Sequence, residues 1–189
     1  ALTQMGVKIE ATADSYVAEA PHGLRGAKIS LRYPSVGATE NIILNAVLAQ
    51  GKTTIYNCAT EPEIIDLIKM LQKMGAIIEL GANRVIHIDG VKKLRGVVHR
   101  VMPDRNEAAS FACLAVATDS RILVRQARQD DLITLLNSLR RVGGEYEVVN
   151  EGIRFWRAGQ LKPTAIETDT HPGFMTDWQQ PFAVLLTQA

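Results

Sequence analysis

Hydrophobic positions along this chain change period in a fixed order, and the order recurs. Between residues 37 and 50, Ile42, Ile43, Leu44, Ala46, Val47, Leu48 and Ala49 fall nearly all round a helix, which predicts a helix buried on most sides. Gly51 follows as a left-handed stop. Residues 52–58 turn β-branched and apolar, as strands do. Ile64, Leu67, Ile68, Leu71 and Met74 then return at helical spacing, predicting an amphipathic helix. Thr60 and Glu63 have the spacing of a capping box at its start, and Pro62 suits its first turn. Gly75 ends that helix, and residues 77–80 and 85–88 read as a hairpin turning at Gly81-Ala82-Asn83-Arg84.

The next stretch repeats this order. Residues 108–117 read as the buried helix and 121–125 as the strand. Leu132, Leu135, Leu136, Leu139 and Val142 mark the amphipathic helix, and 146–149 with 153–156 the hairpin. With a strand expected before each buried helix, at 27–31 and 96–101, the unit is β-α-β-α-β-β. A short signature marks the period. Leu2 to Gly6, Leu71 to Gly75 and Leu139 to Gly143 each run from Leu to Gly, 69 and 68 residues apart, and each precedes an apolar-Glu pair (Ile9-Glu10, Ile78-Glu79, Tyr146-Glu147). Such self-similarity marks a repeated supersecondary unit. One helix per unit is wet on one face and the other is not, so several units are expected to surround their buried helices with sheet. That is an α+β arrangement, not a doubly wound parallel sheet. Ala1 falls within a unit without an initiator Met, and residues 183–189 stop in mid-helix, so the chain is expected to be a segment of a longer one.

Composition narrows the classes. A chain of 189 residues with 47% apolar and 5% aromatic residues builds its core from Ile, Val, Leu and Ala, as one domain or two small ones. A net charge of +1 removes the case for a nucleic-acid surface. No apolar run reaches the length of a membrane span and no signal peptide is visible. Two cysteines make no disulfide framework, so a reducing cytoplasm is expected, with Cys58 and Cys113 as packing residues.

Four motifs carry chemistry: Tyr33-Pro34-Ser35-Val36-Gly37-Ala38-Thr39-Glu40-Asn41, Glu61-Pro62-Glu63-Ile64, Met102-Pro103-Asp104-Arg105 with Glu107, and His171-Pro172-Gly173-Phe174-Met175-Thr176-Asp177. In that order they resemble the enolpyruvyl transferase family, and within it the UDP-N-acetylglucosamine 1-carboxyvinyltransferases. The resemblance spans essentially the whole chain and corresponds to the middle of the family's sequence. It implies two lobes of three β-α-β-α-β-β units each, an inside-out α/β barrel facing a cleft. Residues 1–102 would be the later part of the first lobe and 103–189 the first part of the second. The activity implied is transfer of the enolpyruvyl group of phosphoenolpyruvate to the 3-hydroxyl of UDP-N-acetylglucosamine. This opens peptidoglycan synthesis, and through the wall serves cell shape and division. No cofactor or metal is implied, and the remaining partner is the rest of the same polypeptide.

Residue by residue, Tyr33, Pro34, Ser35, Val36 and Gly37 match the loop that holds uridine and diphosphate. A turn entering a helix offers free N–H groups to an anion, which agrees; Ser35 as a plain N-cap is the other reading. Asp177 matches the aspartate facing the reacting hydroxyl, and a carboxylate there can take the alcohol's proton; a helix N-cap is the alternative. Asp104, Arg105 and Glu107 match the strip between the lobes, where a bare sequence suggests a cap with a surface ion pair. Glu61 belongs to a cleft motif usually preceded by Arg, here Thr60, and with Glu63 reads as mainly structural. The family commonly has Ile-Glu-(Thr/Ala)-Gly-Thr after the Arg, against Asn106-Glu107-Ala108-Ala109-Ser110 here. His171 reads as structural. The acid loop with its cysteine, and the Lys and one Arg that hold phosphoenolpyruvate, lie upstream of Ala1 by the resemblance. The segment alone is therefore expected to be inactive, and neither Cys58 nor Cys113 is that cysteine. The alternatives are a shikimate-pathway enolpyruvyl transferase, a non-catalytic relative binding a nucleotide sugar, and a plain interaction module.

Overall fold

In the computed structural model, which describes residues 1–189, the chain forms two compact units, Ala1–Val101 and Met102–Ala189. The first opens with a 3-10 turn at Leu2–Met5 and a hairpin of β1 (Lys8–Ala11) and β2 (Tyr16–Glu19). Then come β3 (Lys28–Ser30), α1 (Val36–Ala46), β4 (Lys52–Tyr56), α2 (Pro62–Lys73), β5 (Ile77–Gly81) and β6 (Val85–Asp89). Their sheet has the order β3-β4-β6-β5, with β3 parallel to β4 and the other pairs antiparallel. The second unit holds α3 (Arg105–Ala117), β7 (Arg121–Arg125), α4 (Ile133–Val142), β8 (Gly144–Val149), β9 (Gly152–Arg157) and α5 (Gln179–Leu186). Its sheet is antiparallel throughout, in the order β7-β9-β8.

The expected α+β repeat is therefore present. In both units a strand, an amphipathic helix and a hairpin follow a central helix, and the last strand inserts beside the first. The Leu-to-Gly signature is the hinge of each repeat. Gly6, Gly75 and Gly143 have φ of 94°, 103° and 110°, a conformation that side chains rarely adopt. Each reverses the chain out of a helical turn into a hairpin whose first strand carries the apolar-Glu pair: Ile9-Glu10 in β1, Ile78-Glu79 in β5 and Tyr146-Glu147 in β8. The positive φ of Asn83 and Arg84, 55° and 59°, makes the tight turn between β5 and β6.

Each unit has its own core. Ile29, Ile42, Ile43, Ile55, Ile64, Ile68, Ile86 and Ile88 meet in the first. Val116, Leu132, Leu135, Leu136, Leu139, Ile153, Phe155, Phe174, Trp178 and Phe182 meet in the second.

Three expectations need correction. The central helices are not buried all round: Leu44 of α1 stays 51% exposed and Leu48, just past its end, 54%, and Phe111 and Leu114 of α3 stay 45% and 47% exposed. A single sheet covers only the face turned toward it. Residues 96–101 form no strand. They are held along α2 instead, where Arg95 N–H donates to the Met74 carbonyl (2.9 Å) and His99 Nε2 meets Asp66 Oδ2 (3.1 Å). The capping box is absent, because the N-cap of α2 is Glu61, which puts Thr60 one residue too early. The Thr60 hydroxyl accepts instead from Arg84 Nη1 (3.3 Å).

One buried hydroxyl ties α1 to the turn before α2. Thr39, fully buried, donates its Oγ1 hydrogen to the Ser35 carbonyl (2.8 Å) and accepts the Ala59 N–H (2.9 Å). Thr39→Val keeps the shape but orphans the Ala59 N–H, and is expected to cost about 1–3 kcal/mol of stability, whereas Thr39→Ser should cost less. Denaturant unfolding of the two variants measures the difference.

Candidate functional site

In the first unit, the Tyr33–Gly37 motif lies at the entrance to α1. Ser35 is the N-cap: its Oγ accepts the Ala38 N–H (3.3 Å), and its carbonyl takes the N–H of Thr39 (3.0 Å). The first-turn N–H groups of Val36 and Gly37 have no helical acceptor, and they lie where the helix dipole favours negative charge. A Cβ placed on Gly37 meets no heavy atom within 4 Å, so the approach to these groups is open. Tyr33 stands beside them, 62% exposed. Capping therefore leaves the two preceding donors available, because Ser35 serves Ala38.

Glu61 lies at the start of α2 and is buried, and its Oε2 has no hydrogen-bond partner. An orphaned carboxylate oxygen in the interior is costly unless a donor reaches it. Its placement as an N-cap without a side-chain cap bond explains the helix start but not that oxygen. Glu63 lies in the first turn, where a negative charge is favoured.

In the second unit, Asp104, Arg105, Glu107 and Asp177 come together although 73 positions separate the first from the last. Asp104 caps α3, with Oδ1 accepting the N–H of Asn106 (2.7 Å) and of Glu107 (3.3 Å). Glu107 is an exposed residue of that first turn. Arg105 does not lie at the surface, where a bare sequence would put it. It is 3% exposed, with its guanidinium 5.4 Å from the ring centre of the buried Trp178. Asp177 lies in a 3-10 turn, Thr176–Trp178, directly before α5. It caps no helix. Its carboxylate is exposed to solvent, and Oδ2 accepts from the Asn106 side-chain amide (3.4 Å). Asn106 Oδ1 in turn accepts the Trp178 indole N–H (3.0 Å).

Sequence reading missed Asn106 and Trp178. Trp178 is a lone aromatic residue in the polar run Thr176-Asp177-Trp178-Gln179-Gln180, a weak hint of an anchor; nothing local marks Asn106, whose partners lie more than 70 residues away. His171 lies across a cis peptide from Pro172, and the Pro172 carbonyl accepts from Thr134. His171 lines a cavity of about 240 Å³ with Asp130, Asp131, Thr134 and Trp178.

Both thiols are structural. Cys58 Sγ donates to the Arg84 carbonyl (3.0 Å), and burial pushes its pKa up. Burial pushes Cys113 up to about 12.

Along residues 1–189 the chain matches the family described as EPSP synthase (3-phosphoshikimate 1-carboxyvinyltransferase). It belongs to that family of carboxyvinyl transferases. It is 51% identical over 189 residues to UDP-N-acetylglucosamine 1-carboxyvinyltransferase of Chlamydia pneumoniae, covering 100% of this chain and 41% of that protein. The protein of the same description from Azorhizobium caulinodans is 45% identical over 190 residues, and the match covers 100% of this chain and 44% of the relative. The chain thus spans less than half the length of these curated relatives. Among crystal structures, the enolpyruvyl transferase NikO from Streptomyces tendae superposes with a TM-score of 0.84 at 23% identity, covering 100% of this chain and 48% of that one. EPSP synthase from Acinetobacter baumannii gives 0.65 at 20%, covering 97% and 42%. These two likenesses establish the fold.

With a pKa near 12, on the order of one Cys113 thiol in 10⁵ is ionised at pH 7. Both cysteines are expected to resist maleimide in the native state and to react fully in denaturant, as mass spectrometry will read. Fast native labelling of either would show that burial does not protect it.

Proposed function

We propose that this chain is part of an enzyme that transfers the enolpyruvyl group of phosphoenolpyruvate to the 3-hydroxyl of UDP-N-acetylglucosamine, releasing phosphate. The observation that carries this reading is the 51% identity over the chain's full length to a protein named for that reaction. The geometry of both units supports it. The open first turn of α1 offers two backbone N–H donors at a dipole's positive end, which suits a diphosphate. Tyr33 adds a hydroxyl and a ring face beside it.

Asp177 supplies the proton acceptor. An alcohol attacks poorly until its proton leaves, and the free Oδ1 of a carboxylate held through Oδ2 is placed to take it. The sugar oxygen then bonds to C2 of phosphoenolpyruvate while the methylene carbon gains a proton. Loss of phosphate, with a proton returned from the methyl group, restores the double bond. Asp104, Arg105 and Glu107 gather at the first turn of α3 beside Asp177 and belong to the same site, and Glu61 at the start of α2 belongs to that of the first unit. No helix is long and apolar enough to cross a membrane. We place the enzyme in the cytoplasm, where its two substrates are made, at the first step toward peptidoglycan and hence the cell wall.

A shikimate-type acceptor is the second reading, favoured by the description of the matching family. Phosphate release by the intact protein separates the two: UDP-N-acetylglucosamine is expected to drive it and 3-phosphoshikimate is not.

Asp177→Asn in the intact protein is expected to lower kcat by about 10²–10⁴-fold, the usual loss on removing a general base. Affinity for the UDP-sugar should stay near the parent value, since amide and carboxylate are nearly isosteric. A rate within a few-fold of the parent would leave Asp177 as a binding residue only.

A Cβ at position 37 meets no heavy atom within 4 Å, so the effect of Gly37→Val on folding is expected to be small. By crowding the first-turn N–H groups it should weaken UDP-N-acetylglucosamine binding by about 1 kcal/mol or more. Calorimetry on the intact protein tests this, and unchanged UDP-sugar affinity with weakened phosphoenolpyruvate binding reverses the assignment.

A further inference from the structure

Three side chains of the second unit form a directed chain of hydrogen bonds. Trp178 Nε1–H donates to Asn106 Oδ1 (3.0 Å), and Asn106 Nδ2 donates to Asp177 Oδ2 (3.4 Å). The direction follows from chemistry. An indole nitrogen only donates, so the amide must turn its oxygen toward Trp178. Its nitrogen is thereby turned toward Asp177, whose ionised carboxylate only accepts. A flipped amide would set N–H against N–H at one end and oxygen against oxygen at the other.

The anchor of this chain is rigid. Trp178 is 2% exposed, stands edge-on to Phe174 (5.5 Å between ring centres, 86°) and has the Arg105 guanidinium against its ring. Asn106 is fixed at its own backbone, because Asp104 Oδ1 holds its N–H at 2.7 Å. Asp177, by contrast, projects into solvent from a short turn, where an unsupported side chain would pass among its staggered rotamers. The Asn106 amide is the hydrogen-bonding neighbour of its carboxylate, and it holds Oδ2, leaving Oδ1 without a bond.

We propose that Asn106 is the positioning residue for Asp177: oriented by the Trp178 indole, it holds one carboxylate oxygen and thereby aims the other at the substrate hydroxyl. The inference rests on the reading of Asp177 as proton acceptor. It assigns Asn106 a part in the rate of proton transfer and none in substrate affinity. It also makes the Trp178 N–H act on the rate through the amide alone.

The test uses the intact protein, with phosphate release from phosphoenolpyruvate and UDP-N-acetylglucosamine as the assay. Asn106→Asp is the central variant. It has the size of the parent and still accepts the Trp178 N–H, but it replaces the donor facing Asp177 with a like charge. Its kcat is expected to fall on the order of 10- to 100-fold, the scale of misplacing a reacting group, with KM for both substrates within about twofold. Asn106→Leu and Trp178→Phe should each lower kcat, and the double variant should lose no more than Asn106→Leu alone, as groups acting through one path do. Thermal melts exclude unfolding as the cause. A readout independent of turnover is the Trp178 indole N–H resonance, identified by its loss in Trp178→Phe. It should shift in Asn106→Leu and, through the amide, in Asp177→Ala.

Three results overturn the inference, and they differ. If Asp177→Asn abolishes turnover while Asn106→Asp keeps kcat within twofold of the parent, Asn106 positions nothing and the role of Asp177 stands. If Asp177→Asn itself keeps the parent rate, the reading of Asp177 falls and the inference goes with it. An indole resonance unmoved by Asn106→Leu removes the hydrogen bond on which the chain depends.

Discussion

Burial of Trp178 under the first turn of α3 is the contact on which the second unit's site depends. The indole fills the core between Phe174 and the start of the helix, and no smaller side chain could both occupy that space and present an N–H at its rim. Because the ring is fixed, the groups that touch it are fixed too. Arg105 lays its guanidinium against the ring, whose face offsets part of the cost of burying a cation. Asn106 takes its orientation from the indole N–H. Asp177 precedes the tryptophan by one residue, so anchoring one side chain inward sends the other outward. An exposed carboxylate on a short turn would otherwise be loosely placed, and apolar packing a few ångströms away is what makes it specific.

The first unit reaches its candidate site by a different route. There the groups offered are backbone N–H donors, and they need no side chain to aim them once the helix is set. What must be set is the helix start. Ser35 closes the first turn by capping Ala38, and Thr39 locks that turn to the Ala59 N–H, so the helix entrance and the turn leading to Glu61 move as one body. Gly37 keeps the approach open. Glu61 Oε2 is a buried carboxylate oxygen that the local architecture leaves unpartnered.

The repeat explains why both units look alike while their sites do not. A left-handed glycine ends a helical turn before each hairpin, so the backbone returns to its sheet by the same path. The loops before the central helices are free of that constraint, and the two candidate sites sit at those loops and caps. Each central helix meets one sheet, and its far side keeps Leu44, or Phe111 and Leu114, half exposed. This is the arrangement expected of units that pack against further units, and it accords with relatives more than twice as long as this chain.

Periodicity was enough to place the central and amphipathic helices and the strands that follow them, because hydrophobic spacing of 3.6 or 2 residues is a local property that survives in any context. The glycine stops were legible for the same reason: a positive φ is a demand made by one residue on itself. The motif residues could be read as Ser35, Asp104 and Asp177 at the starts of helical turns, and two of these three are caps in the structure. Long-range competition lay beyond local pattern. Residues 96–101 have strand-like composition but hold to α2 through Arg95 and His99, and Thr60 has a capping-box neighbour at the right spacing but gives its hydroxyl to Arg84. Nor could spacing show that Arg105 would be buried against an aromatic ring, or that Asn106 would join Trp178 to Asp177 across more than 70 residues. Local propensity fixes which elements form, because each residue's conformational preference is its own. Which side chains share a buried contact is settled only when distant elements pack, because hydrogen bonds and ring contacts act over a few ångströms in space whatever the separation in sequence.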